Sequence, residues 1–214
     1  MCIVSFVSTL AKAAQETVLF THLRAEKNRF FIGECLWFIK QMGKEIDSMI
    51  TLRNGVTAFL HNNGKYLLMK RAGNRKIAPN VWSGVGGHME QSEINDPLTA
   101  CYREIEEETG ISRDKISSLK LLYIITRRSK DEIRQSYIYF GETTQEEVIQ
   151  TDEGDLFWIA KGALLEREYT RTFTVMLEHY TRRSRDDRAV YVGVAENSNG
   201  RLRMNWARCM DFEP

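Results

Sequence analysis

The chain has 214 residues, of which 43% are hydrophobic, and its 30 basic residues nearly balance 29 acidic ones. This length suits one good-sized hydrophobic core with appendages. The net charge of +1 argues against a surface built to bind nucleic acid polymers. No apolar run approaches the ~20 residues of a membrane span, and residues 1–7 are too short and too uncharged for a signal peptide. We therefore expect neither a membrane nor a nucleic acid polymer as partner.

The four cysteines have no spacing typical of a metal site or a disulfide framework. They are Cys2, Cys35, Cys101 and Cys209. Reduced thiols are the normal state of cysteines in the cytoplasm. The pattern therefore predicts a cytoplasmic protein.

Residues 1–48 differ from the rest of the chain in being rich in aromatic and apolar residues without alternation, capping or turn signals. We predict one mixed α/β domain over 49–214, preceded by this extension. Two explanations of the extension stay open. Either it is translated upstream sequence and the native protein begins at Met49, or it is a genuine extension that covers an apolar patch or mediates dimerisation.

The predicted domain opens with a β-hairpin, formed by strands over 56–60 and 66–71 with a turn at 62–64. A short strand over 81–87 follows after a loop. Its closely spaced glycines let the backbone approach a ligand or a metal.

A helix over 97–109 comes next. Asp96 is a suitable N-cap, Pro97 suits the first helical position, and Gly110 can adopt the left-handed conformation that ends a helix. Small and apolar side chains on this helix are expected to pack it onto a sheet. They are Leu98, Ala100, Cys101, Ile105 and Thr109.

Acidic side chains cluster on the same helix. Glu104 precedes Glu107 by three positions and Glu108 by four, and Arg103 precedes Glu107 by four, so these side chains are neighbours. Close carboxylates repel one another and raise a pKa, and a hard divalent cation such as Mg²⁺ or Mn²⁺ relieves the repulsion. The alternative is a solvated acidic face, the commoner role of charge runs.

Strands over 119–126, 134–141 and 154–160 are predicted after this helix, with hairpin-like connections between them. A helix over 169–182 follows them.

The last elements are two alternating segments, 189–194 and 201–206, joined at 197–200, which predict a closing hairpin. Local basic clusters at 127–128 and 182–185 could contact phosphates, but a solvated face is the commoner role of such clusters.

The glycines and the acidic helix together resemble the Nudix box of the Nudix hydrolase superfamily. That pattern is a glycine, five residues, a glutamate, seven residues, Arg-Glu, an aliphatic, any residue, Glu-Glu, any residue, a glycine and an aliphatic. The matching residues are Gly87, Glu93, Arg103, Glu104, Ile105, Glu107, Glu108, Gly110 and Ile111. One departure is that nine residues, not seven, separate Glu93 from Arg103, so the loop between them is longer.

The resemblance implies an α/β/α sandwich with a mixed sheet, and hydrolysis of a nucleoside diphosphate linked to a group X by water, with divalent metal ions. It implies that Arg103 and Glu93 orient the acidic cluster. The metal ligands that it implies are the Gly86 carbonyl and the carboxylates of Glu104, Glu107 and Glu108.

Glu153 precedes a predicted strand, as does an extra metal-binding glutamate of MutT-type relatives, so the resemblance implies a fifth ligand there. An ordinary solvent-exposed loop glutamate is the alternative. The general base is left open among Glu104, Glu107 and Glu153, because family members differ on this point.

The substrate implied by the resemblance is a nucleoside triphosphate, because 82–87 resembles the segment of MutT-type enzymes that hydrolyse oxidised purine nucleotides such as 8-oxo-dGTP. The chain has no proline between Pro97 and Pro214, which argues against the ADP-sugar hydrolases. ADP-ribose and dinucleoside polyphosphates stay as alternatives. Four strand aromatics could stack a base or fill the core, which is the commoner role: Tyr137, Tyr139, Phe140 and Trp158.

A different class is a Nudix-fold module that senses a nucleotide without hydrolysis. Such modules typically lose box carboxylates, whereas this chain keeps them all. Isopentenyl diphosphate isomerases share the fold but deviate from the box. We therefore predict an enzyme, either a monomer or a homodimer.

Overall fold

The structure, a computed structural model, describes residues 50–74, 78–184 and 186–210. Both explanations of residues 1–48 concern residues outside this part of the chain. Within it, no helix is long and apolar enough to span a membrane.

The described residues form one mixed sheet of eight strands. Its strands are β1 (Thr51–Asn62), β2 (Lys65–Arg71), β3 (Trp82–Ser83), β4 (Ile116–Ser129), β5 (Glu132–Thr143), β6 (Gly154–Ala160), β7 (Val190–Ser198) and β8 (Arg201–Cys209). The order is β3-β2-β1-β5-β4-β7-β8, and β6 pairs with β2. The pairs β1–β5 and β4–β7 are parallel.

Helices α1 (Pro97–Thr109) and α2 (Arg171–Arg182) cover opposite faces of this sheet. Successive strand residues point to opposite faces, so Ala58 packs in one core with Ile105 of α1 while Phe59 packs in another with Met176 of α2. The predicted α/β/α sandwich is confirmed.

Both ends of α1 are where the sequence predicts them. The Thr99 N–H donates to Asp96 Oδ1 at 3.1 Å, and Gly110 has φ of 72° while its N–H donates to the Glu106 carbonyl. The prediction that Leu98 packs on the sheet is wrong, because the first turn of the helix projects into solvent and leaves this side chain 36% exposed.

Strand β6 has a different partner from the predicted one. The connection between β4 and β5 is a hairpin, as expected, but β6 pairs antiparallel with β2 along its whole length and not with β5. The segment that leads to β6 passes the end of α1, where the Ile149 N–H donates to the Thr109 carbonyl at 3.0 Å. This path takes the chain away from β5 to the other end of the sheet, where β6 pairs with β2.

The predicted strand over 81–87 is regular only at Trp82 and Ser83. The glycine-containing residues after them run beside β1, where the Val56 N–H donates to the Gly87 carbonyl and the Ala58 N–H to the Val85 carbonyl. This segment therefore continues the edge of the sheet between the two helical layers.

The closing hairpin is confirmed as β7 and β8, and parallel pairing of β7 with β4 adds it to the sheet. Its aromatic residues complete a cluster around Tyr123, which is fully buried. Tyr123 contacts the rings of His179, Tyr191 and Trp206. The hairpin is thus part of the core on the α2 side.

Candidate active site

Gly86 and Gly87 bring the backbone into contact with two carboxylates of α1. The Gly86 N–H donates to Glu108 Oε2 at 2.8 Å, and Gly86 has φ of 147°, which disfavours a side chain. A Cβ at Gly87 would lie 2.5 Å from Glu104 Oε2. The two glycines therefore allow both carboxylates to lie directly against the chain.

Arg103 holds three carboxylates in place. Its Nε and Nη2 donate to the two oxygens of Glu93, each at 2.8 Å. Its Nη1 donates to Glu104 Oε1 and Glu107 Oε2, each at 2.9 Å. Nη2 also donates to the His88 carbonyl at 3.2 Å. Arg103 thus connects Glu93 to Glu104 and Glu107, while its orienting role stays a prediction.

Glu93 is buried immediately before the longer loop. Its Oε2 also accepts the Glu90 N–H at 2.8 Å. The hydrogen bonds from Arg103 lower the pKa of Glu93 to about 2, against the opposing effect of burial. The two additional loop residues therefore do not prevent Glu93 from reaching Arg103.

Burial and like charges act on the other carboxylates in the opposite direction. Glu108 is 5% exposed, and its pKa rises to about 8, first through burial and then through the charges of Glu104 and Glu153. Burial likewise raises the pKa of Glu104, with contributions from Glu107 and Glu153. Glu153, although distant in sequence, thus lies within electrostatic range of the α1 carboxylates.

A cleft of about 620 Å³ lies on the α2 side of the same glycine segment, and Gly86, Gly87 and His88 line it. Six arginines also line it: Arg53, Arg71, Arg127, Arg128, Arg134 and Arg171. Burial and the charges of Arg53 and Arg134 lower the pKa of His88, so this ring is neutral at physiological pH. A cationic cleft therefore adjoins an acidic cluster.

Comparison with known proteins identifies the family. Residues 51–180 match the family model described as NUDIX domain. The chain belongs to the Nudix family.

Among curated Nudix relatives, the chain is 30% identical over 120 residues to the m7GpppN-mRNA hydrolase NUDT17 of Xenopus laevis, covering 46% of this chain and 40% of that protein. It is 41% identical over 93 residues to the nucleoside triphosphatase NudI of Enterobacter sp. (strain 638), covering 44% and 60% respectively. The chain thus spans less than two thirds of the length of these relatives.

Solved structures match the Nudix fold of this chain. The MutT protein of Bacillus halodurans superposes with a TM-score of 0.55 at 20% identity, covering 72% of this chain and 97% of that one. The MutT protein of Methanosarcina mazei superposes with a TM-score of 0.54, covering 62% and 95%. These superpositions show that the chain has the Nudix fold, which two MutT proteins share.

The donor set of the Nudix box fits a hard divalent cation. Burial raises the pKa values of Glu104 and Glu108, and the charges of neighbouring carboxylates, Glu153 among them, raise them further. A hard divalent cation would offset both effects. Among the described residues, no group of three or more acidic, imidazole or thiolate side chains is arranged so that it could hold a metal ion as it stands. Arg103 Nη1 bridges Glu104 and Glu107. The box residues therefore fit a divalent cation in the type of their ligand atoms and in their charge.

Some residues of the Nudix cleft do not stand out in the sequence. Arg53, His88 and Arg134 belong to no motif, and only Arg127 and Arg128 are noticeable as a cluster. Arg134 could have been predicted from the β4–β5 hairpin, because the register of that hairpin pairs Arg134 with Arg127. Tyr139 and Phe140 are buried in the two cores, and Tyr137 and Trp158 pack against the core on the α1 side. These four strand aromatics therefore contribute to the hydrophobic core.

Replacement of Gly87 by alanine is expected to lower kcat/KM by about 100-fold, since the added Cβ would displace the Glu104 carboxylate. Gly162→Ala is the matched control, because nothing lies within 4 Å of a Cβ at that position. Steady-state kinetics of both variants measure the difference. Equal activity of the two variants would mean that the close approach of Gly87 to Glu104 does not affect catalysis.

Replacement of Glu108 by glutamine is expected to stabilise the metal-free protein increasingly as pH rises. The folded pKa of about 8 lies above the ordinary value of 4.5, so stability from the protonated carboxyl is present below 4.5 and is lost as pH rises through 8. The expected slope is about 1.4 kcal/mol per pH unit in that window. Melting curves in EDTA from pH 5 to pH 9 test it.

Glu106→Gln is the control for that series, because Glu106 is exposed on the same helix. The melting temperature of Glu108→Gln relative to wild type should climb with pH, whereas that of Glu106→Gln should not. A constant difference for Glu108→Gln would contradict a raised pKa at this carboxyl.

Proposed function

We propose that the protein hydrolyses a nucleoside diphosphate linked to a group X, using Mg²⁺ or Mn²⁺, and that its preferred substrates are nucleoside triphosphates, cleaved to the monophosphate and pyrophosphate. The observation that carries this proposal is the double role of Gly86 and Gly87. These two residues contact the carboxylates Glu104 and Glu108, and they also line the arginine-rich cleft. Groups suited to a metal and groups suited to phosphates therefore meet at one segment.

The Gly86 carbonyl and the carboxylates of Glu104, Glu107, Glu108 and Glu153 would hold the divalent ion. When bound, it neutralises phosphate charge and makes a water molecule easier to deprotonate. The protein supplies the positioning, since carboxylates fixed by hydrogen bonds lose little entropy on binding.

Arg103 and Glu93 act as positioning residues in this proposal, because Arg103 fixes Glu104 and Glu107 while Glu93 fixes Arg103. The general base stays open among Glu104, Glu107 and Glu153. A base works best when its pKa lies near the working pH, and burial of Glu104 raises its pKa in the metal-free protein.

The names of the relatives favour a phosphate chain as the common substrate feature. One is called a nucleoside triphosphatase and another an m7GpppN-mRNA hydrolase. The cleft on the α2 side offers six arginines to such a chain. Oxidised purine triphosphates such as 8-oxo-dGTP belong to the same chemical class and are the first candidates within it.

A substrate panel with Mg²⁺ tests the proposal. Canonical and oxidised nucleoside triphosphates, ADP-ribose and dinucleoside polyphosphates are incubated with the protein, and pyrophosphate and phosphate release are measured separately. Pyrophosphate release from a triphosphate that stops in EDTA is the expected result. Tight nucleotide binding without turnover would instead indicate a sensor module.

We further propose that the protein works in the cytoplasm as a monomer or homodimer. The described cysteines support a reducing compartment, since Cys101 and Cys209 are both free thiols. Cys101 is buried, and burial raises its pKa, which makes this thiol unreactive.

A further inference from the structure

Three arginines form a row across the sheet on its α2 face. Arg53 of β1 pairs in register with Arg134 of β5, and Arg134 pairs with Arg127 of β4. Cross-strand partners project from the same face. All three side chains line the cleft. We call Arg53, Arg134 and Arg127 the arginine row.

Such a row is unfavourable by itself, because like charges directly opposite each other on neighbouring strands repel. Glu132 compensates two members, accepting hydrogen bonds from the Nε atoms of Arg53 and Arg134. Within the part of the chain that the structure describes, no carboxylate forms an ion pair with Arg127. Burial and the charge of Arg134 lower the pKa of Arg127, and the charge of Glu132 partly offsets this effect. The positive charge at the Arg127 end of the row is therefore not neutralised by an ion pair among the described residues.

The closing hairpin forms the wall beside Arg127. Ala195 of β7 pairs in register with Arg127, and Glu196, Asn197 and Leu202 line the cleft with it. The Glu196 carboxylate accepts a hydrogen bond from Asn205 Nδ2 at 3.3 Å. The Arg171 Nη1 donates to the Gly200 carbonyl at 3.0 Å and ties the first turn of α2 to the hairpin turn. The hairpin lies beyond the residues matched by the family model, which end at 180. This chain therefore has an additional wall on its arginine row.

The row begins next to the glycine segment but on the side away from the carboxylates. Arg53 Nη1 lies 3.3 Å from His88 Nε2, and His88 directly follows the glycine pair. Glu104 and Glu108 contact the same glycines from α1, which covers the opposite face of the sheet. A phosphate bound at the arginine row would thus be separate from phosphates at the carboxylates.

We propose that the arginine row binds an additional phosphate group of the substrate. This group lies outside the diphosphate that is cleaved at the carboxylates. This inference rests on the proposed function and narrows its substrate class. Guanidinium groups bind phosphate oxygens through charge-assisted, often bidentate hydrogen bonds. A longer phosphate chain, as in dinucleoside polyphosphates, and a phosphate on the ribose both supply such a group.

Kinetics on two matched substrate pairs test the subsite and distinguish the two sources. Diadenosine tetraphosphate against diadenosine diphosphate tests the longer chain, and NADPH against NADH tests the ribose phosphate. Arg127→Gln is expected to raise KM about 10-fold for the member with the additional phosphate in one pair, with kcat nearly unchanged. Arg127→Lys should recover part of the loss. Equal effects of Arg127→Gln on both members of both pairs would overturn the proposal.

Binding measurements separate this inference from the proposed function. Calorimetric titration with tripolyphosphate in EDTA needs no turnover, and Arg127→Gln should weaken that binding about 10-fold. If no nucleotide is hydrolysed but this loss is seen, the proposed function fails and the anion subsite stands. Unchanged tripolyphosphate affinity would refute the subsite whatever the kinetics show.

Two checks exclude a folding defect. Arg203→Gln is the matched control, because Arg203 is an exposed arginine of β8 that does not line the cleft, and both assays should leave it at wild-type values. Arg127→Gln should melt at the same temperature as wild type or higher, because it removes like-charge repulsion from the row. A lower melting temperature would contradict the repulsive arrangement.

Discussion

Glu107→Gln is expected to lower kcat/KM by about 100-fold or more while leaving the melting temperature unchanged. The substitution keeps the shape of the side chain but removes the charge of a proposed metal ligand. Glu107 is the most exposed carboxylate bound by Arg103, with 59% of its side chain accessible, so its charge is not needed for packing. Steady-state kinetics under saturating Mg²⁺ measure the effect.

Glu106→Gln is the matched control, since Glu106 precedes Glu107 on α1, is also exposed, and lies outside the required acidic positions of the Nudix box. It should be nearly silent. A comparable loss in both variants would favour a diffuse acidic patch, and near-normal rates for Glu107→Gln would remove this residue from the metal site.

Arg103→Met is expected to lower the free energy of unfolding at pH 7 by roughly 3 kcal/mol and to abolish most activity. The variant leaves Glu93 and Glu104, both largely buried, without their counterion. Denaturant unfolding measures the first effect. Arg182→Met is the control, because that arginine is 79% exposed and lies 3.9 Å from Glu178. A loss below about 0.5 kcal/mol for Arg103→Met would contradict the positioning role.

The cost of Arg103→Met should also depend on pH. Glu93 has a folded pKa of about 2, below its ordinary value of 4.5. Its contribution to stability is therefore present above 4.5 and is lost as pH falls towards 2. The difference between wild type and variant should shrink on acidification through this window. A difference that stays constant from pH 7 to pH 3 would assign the loss to packing of the Arg103 side chain.

Local signals predict α1 well and strand partners poorly. The boundaries of α1 depend on Asp96, Pro97 and Gly110, each of which acts on its immediate neighbours. β6 pairs with β2, which lies more than 80 positions earlier in the sequence. The residues next to β6 contain no signal that predicts this partner. Hairpins β4–β5 and β7–β8 were predictable because each closes over a short turn.

The candidate site divides in the same way. The carboxylates of α1 and their arginine follow from helix spacing, so Arg103 and Glu107 could be paired from the sequence. The arginine row could not, because its members come from three strands and are aligned only by sheet register. Leu98 shows the limit of helix periodicity as well, since the pattern cannot tell where solvent reaches the helix.

The parallel docking of β7 against β4 has a consequence for folding of the chain. Tyr123 on β4 meets His179, 56 residues later, and its other neighbours Tyr191 and Trp206 come later still. Until those residues are synthesised, β4 is an outer strand with unpaired backbone groups and an uncovered aromatic face. Such edges recruit strands from other chains. The hairpin is therefore also a protective cap, and a nascent chain that stalls before it is prone to aggregate.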